Sequence, residues 1–185
     1  FYQGDQWVAV ILKWSNACHI CFVSAHLPVQ NLGGTVYEQV FIAIDAQIQA
    51  YKKLYGHLVL FCGMDANVVI PHLGYGVLNV AGPLATEIWN QRSASAIEFL
   101  VSNSLRATNT FPNNRHIDSA STWTHRGVRG RLRTIDYACS SREILQQEFG
   151  IDYCAEVRTD HRALWFSGVL EGGDHTTKSG FLGQT

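Results

Sequence analysis

Apolar residues fall in short runs along this chain, and their period changes once early on. Residues 7–14 (WVAVILKW) and 20–27 (ICFVSAHL) are rich in β-branched and aromatic side chains. They predict a hairpin or two adjacent strands. Pro28 stops the second ladder, because it has no N–H to donate. After a loop at 31–34, Tyr37, Phe41, Ile44, Ile48, Tyr51 and Tyr55 recur at spacings of three and four. That is one face of an amphipathic helix. Thr35 is its expected N-cap, Glu38 the capping-box partner and Gly56 the stop. The aromatic stripe reads as core. A short apolar strand follows at 57–62 (HLVLFC) and runs into Gly63-Met64-Asp65-Ala66-Asn67.

A long connection with Pro71, Gly74, Gly76, Gly82 and Pro83 leads to a second predicted helix. Its apolar face is Ile97, Leu100, Val101 and Leu105. Short strands are expected at 105–111 and 121–125, with Trp123 in the core and a polar loop between them. Two more β-rich runs, TIDYACSS and RALWFSGVL, close the patterned part of the chain. The stretch between them, REILQQEFGIDYCAEV, receives no element. Strand, helix and strand in this order predict a layered α/β domain over residues 1–170. Glu171–Thr185 is Gly-rich, polar and aperiodic, as expected of a flexible tail or linker.

Composition narrows the class. The chain has 185 residues, with 46% hydrophobic and 16% charged. That is enough for one domain with a real core and excludes a disordered chain. A net charge of -1 means that any nucleic-acid contact must come from a local patch. Five cysteines, an odd and scattered set, argue against a disulfide framework. Cys18 and Cys21 form a CxxC, but strand residues three apart point to opposite faces, so they read as buried hydrophobes. No apolar run reaches spanning length, so no membrane partner is expected. There is no initiator Met and no signal peptide, and the chain opens almost directly in a strand. Its true beginning is expected upstream.

The chemistry-bearing residues stand at predicted strand ends. Asp136 lies within one β-rich run, and Asp160 and His161 stand just ahead of another. A buried strand gains nothing from an unpaired carboxylate, so these look like a site. His26 lies at the exit of the second strand. Asp65 and Asn67, two apart at the exit of a buried strand, can face one side, although an Asx turn explains them as well. Arg126, Arg129, Arg131 and Arg133 crowd a Gly-containing turn expected to protrude as a hairpin tip. Like charges so close together ask for an anion, and a phosphate backbone is the natural one.

Five pieces in order carry a more specific signal: SAHLP, the strand into MDAN, NTF followed by STWTH, TIDYACSS and TDHRALW. Together they resemble the endonuclease/exonuclease/phosphatase superfamily, the fold of pancreatic deoxyribonuclease and apurinic endonucleases. The resemblance implies the C-terminal portion of a four-layer α/β sandwich, with two mixed β-sheets face to face and helices outside. It also implies roles. Asp65 would align or deprotonate the attacking water, and Asn67 would hold that acid and the phosphate. His161 would donate to a phosphoryl oxygen in the transition state, with Asp136 fixing its tautomer and charge. Asp160 would lie at or near a divalent ion, Mg²⁺ with Mn²⁺ as alternative, and His26 would contact the scissile phosphate. The family's Asn and metal-binding Glu from its first half have no counterpart here; Glu38, on the helix, does not fit. Weak or absent activity is therefore expected of this chain alone. Met64 replaces the family's usual Gly before the Asp.

The basic insertion between STWTH and TIDYA resembles the DNA-probing hairpin of non-LTR retrotransposon endonucleases. This implies a nuclear or cytoplasmic enzyme that nicks duplex DNA and is fused to further domains such as a reverse transcriptase. The alternatives are a phosphatase of inositol phosphates, a sphingomyelinase, a messenger deadenylase or an inactive truncated copy.

Overall fold

Alternation along the early strands produces a sheet with two unlike faces. The computed structural model describes residues 2–3, 6–16, 18–29, 34–72, 80–85, 90–112, 123–127, 129–142, 144–152 and 160–170. The strands are β1 (Tyr2–Gln3), β2 (Trp7–Lys13), β3 (His19–His26), β4 (Leu58–Asp65) and β5 (Leu105–Ala107). They continue with β6 (His125–Arg126), β7 (Leu132–Arg133), β8 (Asp136–Ser141), β9 (Ile144–Asp152) and β10 (Ala163–Leu170). The helices are α1 (Gly34–Tyr55) and α2 (Gln91–Ser102). Six strands form one mixed sheet in the order β1-β2-β3-β4-β8-β5. β3 and β4 are parallel and joined through α1, whereas β2–β3 and β4–β8 are antiparallel.

Both helices pack on one face of this sheet. Tyr37, Phe41, Ile44 and Ile48 of α1 are buried with Cys21, Val23, Cys62, Met64, Phe99 and Leu100 in a single core. The expected aromatic stripe is thus core through Ile48, while Tyr55 at its end is exposed. Gly56 ends α1 with φ of 72°, a left-handed conformation that costs glycine little. α1 begins at Gly34, so Thr35 lies inside its first turn and is not the N-cap expected. In α2 the Asn90 side chain caps Ser93, and the Ser93 hydroxyl returns the bond. Leu105 is not on that helix. The helix stops at Ser102, and Ser104 turns with φ of 55°, which delivers Leu105 to β5. Val101 points outward, 37% exposed.

The expected strand at 105–111 stops at Ala107 and gives way to a single 3-10 turn, Thr108–Thr110. The Thr110 hydroxyl closes that turn onto the Ala107 carbonyl at 2.6 Å. β9 is the element that pattern reading left unassigned. It pairs antiparallel with β10, where Trp165 lies directly on Gly150, leaving no room for a Cβ. This pair covers part of the sheet's second face, with Phe166 against Phe61 at 5.0 Å between ring centroids. Helices, large sheet and second small sheet stack as an α/β sandwich. Among the described residues no helix is long and apolar enough to cross a membrane. The tail, Cys154, and Ser121–Thr122 lie outside the described residues.

Candidate functional site

Register places three of the anticipated residues side by side. His26 on β3 pairs with Asp65 on β4, and Asp65 pairs with Asp136 on β8. Their side chains emerge on the face opposite the helices, because each is separated by odd steps from the core residues Ala25, Met64 and Tyr137. β4 extends to Asp65, beyond the end at Cys62 that its apolar run suggests. His26 Nε2 lies 3.4 Å from Asp65 Oδ2.

Asn67 follows in a left-handed turn, φ 48°, a conformation asparagine tolerates. Its backbone N–H donates to Asp65 Oδ1 at 3.1 Å, so the Asx turn does form. Its side-chain amide, by contrast, donates to the Leu27 carbonyl at 2.7 Å. Asn67 therefore holds Asp65 through its backbone and braces the exit of β3 with its side chain.

Across the row, His161 Nδ1 lies 3.0 and 3.2 Å from the two Asp136 oxygens. On the other side of the ring, Nε2 stands 4.0 Å from Asp160 Oδ1. Burial opposes charge on His161, yet the Asp136 carboxylate, its hydrogen bond, Asp65 and Asp160 together hold the imidazole above its ordinary value. Burial also pushes the Asp136 carboxyl up, opposed by the Thr124 hydroxyl, reinforced by Asp65 and opposed again by His161. The two shifts agree in one respect: the couple holds its proton longer as pH rises.

Several residues around the site were missed by pattern reading. Asn109, fully buried, donates to the Asp136 carbonyl and accepts from the Ala138 N–H, both at 3.1 Å. It clamps β8 where Asp136 enters. It lies in the NTF piece, which could have flagged it. The Thr124 hydroxyl accepts from the backbone N–H groups of Ile135 and Asp136. Arg162, buried beside the site, stacks on Trp123 and donates to its carbonyl at 3.1 Å. Trp123 is half-buried under that guanidinium, not in the core as expected. His125 contacts both Asp160 and His161, at 3.2 Å from an Asp160 oxygen and 4.8 Å between imidazole centroids.

The arginine turn is a hairpin, β6 against β7, closed by Gly127 N–H to the Arg131 carbonyl. Arg126, Arg129, Arg131 and Arg133 are all exposed on it. Its base is bonded to the site, since the Arg126 N–H donates to the Asp160 carbonyl at 2.8 Å. A cleft of about 430 Å³ runs along the same sheet face, lined by Phe22, Gly63, Asp65, Asp136, Arg162 and Phe166 among others.

Two groups have donors close enough for a cation: Asp65–Asp136–His161 and His125–Asp160–His161, each within 4.8 Å. Mg²⁺ takes one or two carboxylates and keeps several waters, so these donors fit a hydrated ion. Among the described residues, no glutamate belongs to either group. Glu38 lines a groove between α1 and α2 instead. Cys18 lies just before β3 and is half-buried, outside the strand in which it was expected, whereas Cys21 is on β3 and fully buried; both thiols are free.

No family model and no curated protein matches the sequence. Solved structures do match the fold. TDP2 from Caenorhabditis elegans superposes with a TM-score of 0.52 at 13% identity, over 86% of this chain and 45% of that one. The human Nocturnin catalytic domain with bound sulfate gives 0.51 at 15% identity, over 90% and 54%. The 3′ phosphatase NExo from Neisseria, bound to product DNA hairpin, gives 0.53 at 14% identity, over 90% and 65%. The likeness to these structures is one of fold, and the fold of this chain is the DNase I-like α/β sandwich that the sequence led to expect. The chain spans between 45% and 65% of their length.

Proposed function

We propose that this chain is a metal-dependent phosphodiesterase whose substrate is duplex DNA, nicked by hydrolysis as by retrotransposon-type endonucleases. The observation that carries the reading is the polar row His26–Asp65–Asp136, completed by His161 and bonded to an arginine hairpin. A phosphodiester repels hydroxide, so cleavage needs a positioned nucleophile and positive charge where the transition state gains electron density. Asp65, held by the Asn67 N–H, is the group to orient a water and draw its proton. His161, charged through Asp136, offers its Nε2–H to a phosphoryl oxygen. His26 flanks Asp65 and reaches the scissile phosphate.

Asp160, 63% exposed, is the carboxylate that would hold the divalent ion, Mg²⁺ or Mn²⁺. When bound, the ion would polarise the phosphate and stabilise the leaving oxygen. With no glutamate among the described residues of either cation-binding group, low activity is expected of this chain alone. The exposed arginines would track the DNA backbone beside the cut.

Nicking of supercoiled plasmid in Mg²⁺ tests the reading. Nicked circles are expected from the wild-type chain, with a loss of about 100-fold or more in His161→Ala. Equal nicking by both would discard the assignment. Hydrolysis of small phosphate esters or sphingomyelin, unaffected by loss of the hairpin arginines, would favour the small-substrate alternative on the same fold.

A further inference from the structure

The helix layer carries a second hollow, away from the polar row. A groove of about 480 Å³ runs between α1 and α2. Its floor is Phe41 on Phe99, 4.8 Å between ring centroids, and Ile42 stands on its rim, 67% exposed. Glu38 and Asp45 of α1 and Glu98 of α2 line it, and none of the lining residues is basic. Asp45 is held by neutral amides, Asn103 at 2.8 Å and Gln49 at 3.4 Å. Among the described residues, no cationic side chain forms an ion pair with these three carboxylates.

The complement of this groove is on the same chain. The β6–β7 hairpin presents four exposed arginines, with Leu132 47% exposed among them. Register sets Arg126 opposite Leu132, so one face of the hairpin offers a cation beside an apolar side chain. Gly130 turns the tip with φ of 72°, and nothing lies within 4 Å of the Cβ position there. The tip therefore stands clear of its own chain. Lengths agree as well. The groove follows α2 from Gln91 to Ser102, about 16 Å at the helical rise. Arg129 to Arg133 spans about 13 Å in an extended conformation.

We propose that the groove between α1 and α2 is the docking site for the arginine hairpin of a second copy of this chain. Arginines meet Glu38, Asp45 and Glu98, and Leu132 meets Ile42 above the Phe41–Phe99 floor. An apolar centre ringed by polar pairs is the usual anatomy of a specific contact. The net charge of -1 sets no global repulsion between copies, so these two patches decide. The hairpin is bonded to the site, whose side chains emerge on the face opposite the helices, so its partner groove belongs to another molecule. The contact is heterologous, one copy's hairpin in the next copy's groove. A single hairpin buries little area, so association is weak and sensitive to salt. A docked hairpin is withheld from DNA, and this consequence alone rests on the proposed function.

Sedimentation of the full chain without DNA tests the docking. In low salt the average mass of the wild type should rise with concentration, and high salt should return it to the monomer. Arg126→Glu and Glu98→Lys should each weaken association by about 10-fold or more. The protein carrying both should regain it, because the exchanged charges attract again. If either variant does not fold, Arg129→Glu or Glu38→Lys takes its place. A wild type that stays monomeric at every concentration in low salt would overturn the proposal, as would association that neither reversal weakens. A monomeric wild type that binds a synthetic peptide of residues 126–133 would give the groove to a different basic partner and overturn the second copy as its occupant. Added duplex DNA should disperse the assembly; DNA that binds and leaves it intact would count against the functional reading alone.

Discussion

The six-stranded sheet has one face like the inside of any stable domain and one face unlike it, and the same strands supply both. Toward the helices, Cys21, Val23, Cys62, Met64, Tyr137 and Cys139 are all at most 4% exposed. Burial pushes the Cys62 thiol up to about 12, so it stays protonated and inert. On the opposite face Phe22 is 42% exposed, Ser24 and Gly63 are open, and the row ends in His26, Asp65 and Asp136. Met64 and Asp65 are neighbours, yet one fills the core and the other faces the cleft. A pleat with period two lets a rigid, apolar layer hold polar side chains in place without burying their charges unpaired. Stability and chemistry are thereby assigned to alternate residues.

Substitutions on the two faces should therefore fail differently. His161→Ala, on the open side, should lower nicking by about 10²- to 10⁴-fold and, measured at a pH above the raised value of the His161 imidazole, leave the unfolding transition nearly in place. Activity and a denaturant melt on one preparation separate the two outcomes. Ile44→Ala, on the helix side, should cost about 2–5 kcal/mol in a urea titration without changing the turnover of the molecules still folded. Asn109 belongs to both regions. It is fully buried and fixes the entry of the strand carrying Asp136. Asn109→Ala leaves a buried carbonyl and N–H unpaired, at about 1–3 kcal/mol each, and should lower stability and turnover together. The smallest effect lies farthest from both faces. Arg129→Ala with Arg131→Ala should flatten the salt dependence of duplex binding by about one unit of log–log slope for each arginine, with turnover at saturating DNA nearly unchanged. Loss of activity in the melt-neutral variants without loss of binding would keep the comparison intact; a melt shift in His161→Ala at a pH where the wild-type imidazole is neutral would break it.

Much of this division is legible in the chain. The α1 stripe, the apolar run of β4, the Gly-containing arginine turn and the placement of Asp65, Asp136 and His161 near strand ends follow from period and residue type. What pattern could not give is pairing. That His26, Asp65 and Asp136 share one row depends on the register of three strands, which a sequence does not state. His125 looked like the end of a strand because its importance comes from the segment it crosses, 35 residues away. β9 escaped assignment since Gln146, Gln147 and Glu148 interrupt its apolar pattern. Thr35 resembled a cap because helix ends are decided by backbone geometry over a residue or two. Asn67 makes the Asx turn expected of it, but the brace from its side chain to the Leu27 carbonyl depends on a strand 40 residues back and was not legible.

The account turns on the Asp136–His161 couple, and a pH titration of the His161 imidazole by NMR tests it most directly. Its apparent pKa should lie above 6.5 and fall in Asp136→Asn. The sign extends to stability: the contribution of this group is complete below its unfolded value and disappears as pH rises through the raised one. A midpoint at or below 6.5 in the wild type, unmoved in Asp136→Asn, would show that the two side chains do not act as a pair and would contradict the account.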